Sequence, residues 1–169
     1  MTTRSLQGAP VLVIGAGIMG TGIAQVAAQA GHPVQLYDAR AGEAQLAVRR
    51  LGASLDALVA KGKLESDAAA ATLGRIEPLM ALEALRDTHL AIEAIVEDLA
   101  AKRELFQQLE SLLGADCVLA TNTSSISVTA IANGLEHPGR VVGMHFFNPV
   151  PVMKLVEVVS GLHTDTAVA

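Results

Sequence analysis

Short apolar runs alternate with longer stretches of helical periodicity along this chain. Residues 11–14 are apolar throughout, residues 18–30 follow a helical pattern that stops at Gly31, and residues 34–37 are apolar again after Pro33. From about residue 42 to 61 the positions Leu46, Leu51, Leu55, Leu58 and Val59 recur at helical spacing, which predicts a long amphipathic helix. A shorter helix is expected from residue 66 to about 73, with Ser66 and Asp67 as its cap. The runs 76–80 and 90–96 read as strands, separated by an acidic turn or short helix around 82–86. A helix over 99–113 ends at Gly114, and a strand over 117–120 runs into Thr121-Asn122-Thr123-Ser124-Ser125. A short helix around 128–132, a strand over 140–144 leading to His145, and a last strand over 154–159 complete the set. Alternating βα units of this kind specify an α/β fold, a doubly wound and mainly parallel Rossmann-type sheet with helices on both faces and right-handed crossovers.

No fixed-period repeat, low-complexity tract or internal linker interrupts the pattern, so residues 1–163 are expected to form one domain. The following Thr164-Asp165-Thr166-Ala167 reads as the cap and first turn of a further helix, which would make residues 164–169 the start of a second, truncated domain.

Composition narrows the picture in one respect. With 51% hydrophobic residues but only 2% aromatic ones, the core must be aliphatic and rich in Ala, which suits helices packed closely on a parallel sheet. The net charge of −5, with basic residues scattered, offers no electrostatic footprint for nucleic acid or an anionic membrane. No stretch reaches the roughly 18 uninterrupted apolar residues of a membrane span. The first ten residues hold one Arg and no apolar core, unlike a secretory signal, and the expected setting is the reducing cytoplasm. The single Cys117 cannot form an internal disulfide and reads as a small buried hydrophobe at the start of its strand.

The candidate chemistry begins at Gly15-Ala16-Gly17-Ile18-Met19-Gly20. Alone, this glycine spacing is a weak signal, but here an apolar strand leads into it, a helix leaves it, and Asp38 follows about 20 residues later. Gly15 permits the tight turn, Gly17 lets a pyrophosphate approach the backbone, and Gly20 lets the helix lie close on the sheet. The helix start at Ile18 and Met19 offers unpaired amides and partial positive charge to that pyrophosphate. Asp38 is placed to accept hydrogen bonds from the adenosine ribose, which favours NAD as cofactor over NADP, although Arg40 lies close by. A Gly-rich turn without any nucleotide is the plain alternative.

Ligands of open α/β sheets bind at the carboxyl ends of the strands, and three polar groups fall there: residues 93–102, residues 122–125, and residues 145–148 with Glu157 returning nearby. No metal-ligand spacing accompanies them. The segments Ile92-Glu93-Ala94-Ile95-Val96-Glu97, Thr121-Asn122-Thr123-Ser124-Ser125 and His145-Phe146-Phe147-Asn148-Pro149-Val150-Pro151, continuing to Glu157-Val158, closely resemble the NAD-binding domain of L-3-hydroxyacyl-CoA dehydrogenases over about residues 9–161.

That resemblance implies oxidation of a (3S)-3-hydroxyacyl-CoA to the 3-ketoacyl-CoA with hydride transfer to NAD. Within it His145 matches the catalytic base and Glu157 its partner, while Ser124 matches a residue that hydrogen-bonds the reacting oxygen. Asn148 matches a position near the nicotinamide, Glu97 and Lys102 match further cofactor contacts, and Ser54 and Lys61 match positions that meet the CoA part of the substrate. The resemblance also implies a helical substrate and dimerisation domain after the last strand, hence a homodimeric parent and weak or absent turnover by these residues alone. Bland alternatives stand beside these roles: Glu157 as a solvated strand residue, Ser124 as a helix cap, Lys61 as a surface lysine. Two other functions compete with the whole reading. One is a non-catalytic NAD-binding module, and the other is a different hydroxyacid or sugar dehydrogenase, typically with a lysine base.

Overall fold

Successive residues of a strand point to opposite faces of its sheet, and this divides the core in two. In the computed structural model, which describes residues 6–169, the strands are β1 (Val11–Ile14), β2 (Val34–Tyr37), β3 (Ile76–Pro78), β4 (Leu90–Glu93), β5 (Val118–Thr121), β6 (Val141–Phe146) and β7 (Val156–Ser160). The helices are α1 (Ile18–Gln29), α2 (Glu43–Ala60), α3 (Ser66–Gly74), α4 (Leu99–Leu112) and α5 (Val128–Ala132). Val11, Val13, Leu36 and Ile92 face a layer made of α1, α2 and α3, meeting Ile23, Ala24 and Leu51 there. Leu12, Ile14, Ala91 and Leu119 face the other way, against Phe106 and Leu109 of α4 and Ile131 of α5. Ala24, Ala28, Ala44 and Ala47 are buried in the first layer, so the helices approach the sheet as closely as the Ala-rich composition suggests.

The strand order is β3-β2-β1-β4-β5-β6-β7, with every pairing parallel except β6 with β7. The chain therefore moves outward from β1 to β3, returns to place β4 beside β1, and moves outward again on the other side. Where it reverses, the connections leaving β1 and β4 diverge and open a crevice at the carboxyl ends of the strands. The last strand turns back, so that β6 and β7 form an antiparallel pair in which His145 and Glu157 are direct register partners.

Several expected boundaries shift for local reasons. Strand β4 stops at Glu93 rather than continuing to residue 96, because Ile95 N donates to Glu93 Oε1 at 2.8 Å and turns the chain out of the sheet. The cap of α3 is Glu65, not Ser66 and Asp67: the Glu65 carbonyl already accepts the helical bond from Ala69 N at 3.0 Å, and no side chain caps that end. The segment around 82–86 is one short 3-10 turn, Leu82–Ala84. Near the end, Thr164 Oγ1 donates to Val141 O at 2.6 Å and Asp165 N to Gly139 O at 2.8 Å, while Val168 N and Ala169 N bond back to Asp165 O as a turn.

Cys117 is 2% exposed, and burial raises its thiol to about 11, so it stays protonated and serves packing. The first five residues of the polar lead-in lie outside the described residues. Among the described residues no helix is long and apolar enough to cross a membrane, and no cluster of His, Cys, Asp and Glu could hold a metal ion.

Candidate active site

The glycine turn between β1 and α1 is built by close approaches that exclude side chains. Gly15 has φ +101°, and a Cβ there would lie 2.5 Å from Ala94 O; a Cβ on Gly20 would lie 1.7 Å from Gly15 O. Gly17 differs, since a Cβ there would meet nothing within 4 Å. Packing therefore demands the first and third glycines, whereas the space over the second is open for a ligand to approach the backbone. Gly17 is also the N-cap of α1 and supplies no side-chain cap, which leaves the first amides of that helix turned toward this space. Ile18 is exposed there, and Met19 lines the adjoining cleft.

Asp38, just past β2, reaches back to this turn and accepts from Ala16 N at 2.8 Å. Arg40 folds over the same carboxylate, with Nε 3.0 Å from Oδ1 and Nη2 3.2 Å from Oδ2. Burial pushes the Asp38 carboxyl up, but the hydrogen bonds from Arg40 and Ala16 and the Arg40 charge together outweigh it and hold it below the usual carboxylate range.

Beneath the crevice lies a buried polar chain. Glu93 is fully buried, and its Oε1 lies 2.5 Å from Lys102 Nζ, while Oε2 accepts from Thr121 Oγ1 at 2.7 Å. Lys102, itself 1% exposed, reaches on to Glu97 Oε2 at 3.3 Å. Glu97 also accepts from Thr123 Oγ1 and from Ser125 Oγ. Burial pushes the Glu97 carboxyl up, yet the Thr123 hydrogen bond, the Lys102 ammonium and Ser125 outweigh that and hold it below its ordinary value. The chain ties the ends of β4 and β5 to α4, and the one ammonium of Lys102 serves both the fully buried Glu93 and the more exposed Glu97, as a buried ion requires a partner.

A cleft of about 370 Å³ opens above it, lined by Met19, Glu97, Lys102, Ser124, His145 and Asn148 among others. A second cleft of about 280 Å³ lies beside it and adds Glu157, Thr129 and Ser160. Ser124 and His145 line both, so they stand on the boundary between the two spaces. At that boundary His145 Nδ1 lies 2.9 Å from Glu157 Oε2, a distance fixed by the β6/β7 register. The ring of Phe147 sits 4.5 Å from the imidazole, tilted by 51°, and bounds it on one side. Asn122 Oδ1 accepts from Phe146 N at 2.8 Å and fastens the end of β6 to that of β5.

The two adjoining clefts thus bring together Met19, Glu97, Lys102, Ser124, His145, Asn148 and Glu157. Ser124 does not cap the helix after it: α5 is capped by Ser127, whose Oγ accepts from Ala130 N at 3.3 Å. Ser54 on α2 and Lys61, the C-cap of that helix, are exposed and line neither cleft, and Ser54 Oγ donates to Arg50 O at 3.0 Å. Sequence alone assigns no separate role to Glu93 or Asn122. An acid inside the apolar run Leu90-Ala91-Ile92-Glu93 is the signal that finds the first, because such a residue needs a cation. The second has no such signal.

A glycine turn open to a ligand, an acid beside it and a polar cleft at the strand ends define a dinucleotide-binding α/β domain. The family model described as the 3-hydroxyacyl-CoA dehydrogenase NAD binding domain matches residues 10–169, and the chain belongs to that family. A 3-hydroxyadipyl-CoA dehydrogenase of Escherichia coli K12 is 50% identical over 158 residues, which cover 94% of this chain and 33% of that protein. A 3-hydroxybutyryl-CoA dehydrogenase of Clostridioides difficile is 46% identical over 153 residues, covering 90% of this chain and 54% of its own length. Among solved structures, 3-hydroxybutyryl-CoA dehydrogenase from Escherichia coli K12 superposes with a TM-score of 0.91 at 49% identity, over 95% of this chain and 34% of that one. The chain therefore spans between a third and just over half of these relatives, and its family role is the binding of NAD.

Proposed function

We propose that this chain is the cofactor and base domain of a dehydrogenase that oxidises (3S)-3-hydroxyacyl-CoA to 3-ketoacyl-CoA. The observation that carries the reading is the His145–Glu157 pair, 2.9 Å apart, on the boundary of the two clefts. Bound NAD would supply the hydride acceptor, with Gly15, Gly17, Ile18, Met19 and Gly20 at its pyrophosphate and Asp38 at its ribose. Glu97, Lys102, Ser124 and Asn148 would line its nicotinamide end.

A secondary alcohol releases hydride only as its hydroxyl proton leaves, so a base must stand within hydrogen-bond reach of that oxygen. His145 takes that proton on Nε2 while Nδ1–H donates to Glu157, which holds the ring in the tautomer that leaves Nε2 able to accept. The Glu157 carboxylate then stabilises the imidazolium that forms. Ser124 Oγ, on the same boundary, hydrogen-bonds the reacting oxygen. A lysine base has less support: Lys102, the lysine of the cleft, is 1% exposed and bound by Glu93. Ser54 and Lys61 would contact the CoA moiety only through substrate that reaches along α2.

Substituting Glu157→Gln keeps the size but loses the charge that orients and stabilises the ring. Because this carboxylate is half exposed, the loss is expected to be smaller than in a buried triad, about 10–100-fold in kcat with little change in NADH affinity. Steady-state kinetics with acetoacetyl-CoA and NADH measure it, and an unchanged kcat would reduce Glu157 to a solvated strand residue.

Residues 164–169 would lead into a helical region that covers the acyl chain and forms a homodimer. Alone, the 169 residues are expected to turn over acetoacetyl-CoA weakly or not at all, because the second cleft is open to water. Joined to the region that follows in the longer relatives, they should show measurable NADH oxidation. Equal activity of the two proteins would reject the division of labour.

A further inference from the structure

Asp38 is the group expected to receive the ribose hydroxyls, yet its carboxylate is already fully engaged. A carboxylate offers about four acceptor positions. Here Oδ1 accepts from Arg40 N at 2.9 Å and Arg40 Nε at 3.0 Å, and Oδ2 accepts from Ala16 N at 2.8 Å and Arg40 Nη2 at 3.2 Å. The two amide contacts belong to the backbone of the turns, so a ribose must compete with the guanidinium. That side chain is able to yield, being 68% exposed where the Asp38 side chain is 9% exposed.

The same guanidinium changes what the ribose edge can tolerate. An unpaired carboxylate would repel a phosphate on the 2′-hydroxyl, but Arg40 neutralises this one. Asp38 uses only Nε and Nη2, leaving the Nη1 donors for a second anion. Glu43 lies near enough for its charge to act on Arg40, but its Oε1 is held by Arg50 Nη1 at 2.9 Å. A planar fork that can hold a carboxylate and a phosphate side by side is a property of Arg that Lys lacks.

We propose that Arg40 opens this site to dinucleotides with a 2′-phosphate as well as to NAD, bridging Asp38 and the phosphate in the first case and swinging off Asp38 in the second. The proposal rests on the placement of Asp38 at the ribose and goes beyond the NAD-binding role of the family. Calorimetric titration of the protein with NADH and with NADPH tests it. NADPH is expected to bind within about tenfold of NADH, and Arg40→Ala to lower the ratio of NADPH to NADH affinity by about tenfold or more. Arg40→Lys, which keeps the charge but not the fork, should fall between. A ratio unmoved by Arg40→Ala, or wild-type NADPH binding more than about 100-fold weaker than NADH, overturns the proposal while leaving the dinucleotide site intact. If neither cofactor binds, the placement of Asp38 fails with it.

Discussion

Replacing His145 with Asn is expected to lower turnover of a 3-hydroxyacyl-CoA by about 10²–10⁴-fold, the range a positioned general base contributes. Asn fills a similar volume and can still hydrogen-bond Glu157, but its amide cannot take a proton from the substrate alcohol. His145 belongs to an edge hairpin of the sheet, and its side chain is part exposed, so the substitution opens no cavity in either core layer. NADH affinity should therefore change little, since the glycine turn and Asp38 follow β1 and β2, on the other side of the switch point from β6 and β7. The measurement is a paired one: acetoacetyl-CoA-dependent NADH oxidation by the protein with its downstream region, and NADH titration of the same variant. Full activity with Asn at this position would mean that another group takes the proton and that the His145–Glu157 pair is idle.

The largest stability effect is expected at Lys102. Its ammonium is the cation 2.5 Å from the fully buried Glu93 carboxylate, so Lys102→Met strands an uncompensated charge in the interior. Breaking a buried pair in this way costs about 3–5 kcal/mol. Urea unfolding followed by circular dichroism reads it as a lower midpoint at an unchanged slope. The double variant Glu93→Leu with Lys102→Met removes both charges and is expected to recover most of the loss, because an apolar pair of similar volume is often as stable as the ions it replaces. A Lys102→Met loss below about 1 kcal/mol would mean that the pair is not the buried ion pair described. NADH affinity should weaken in both variants, since Glu97 then loses its link to α4 and keeps only Thr123 and Ser125.

Most of the architecture was legible in the linear pattern because parallel strands buried on both faces have a plain signature. Runs such as Val11-Leu12-Val13-Ile14 have no polar side to present to water, and both faces of β1 are indeed covered. The long periodic stretch over α2 buries Leu51 and Leu55 and partly buries Val59, but Leu46 and Leu58 of the same stripe are left exposed. The errors cluster where a single hydrogen bond decides the outcome. The apolar residues after Glu93 suggested a longer β4, but the turn there is set by a side-chain bond to Ile95 N. Likewise Ser66 has the chemistry of a cap, yet the cap position falls on Glu65 and no side chain is used there, although the helix begins at Ser66 as expected.

The candidate site divides in the same way. The glycines and Asp38 could be read from residue type and spacing, since each depends on backbone geometry close by in the chain, whereas the roles within the His-Phe-Phe-Asn-Pro run came from resemblance to a family. The buried chain from Thr121 through Glu93 and Lys102 to Glu97 could not, because it joins residues from β4, α4 and β5. Nor could the engagement of Asp38 by Arg40, or the placement of Ser54 and Lys61 outside the lining of both clefts.

By itself, the order of residues determined the layers of this protein and the strand-to-helix turn for a dinucleotide. Those properties follow from local sterics and from burial patterns that repeat every two or about 3.6 residues. Tertiary structure alone decided that the His145–Glu157 pair stands in direct register on the shared wall of two clefts, and that Lys102 is spent on Glu93. Both depend on strand register and on charges brought together from distant segments, and neither register nor charge pairing is carried by any one stretch of chain.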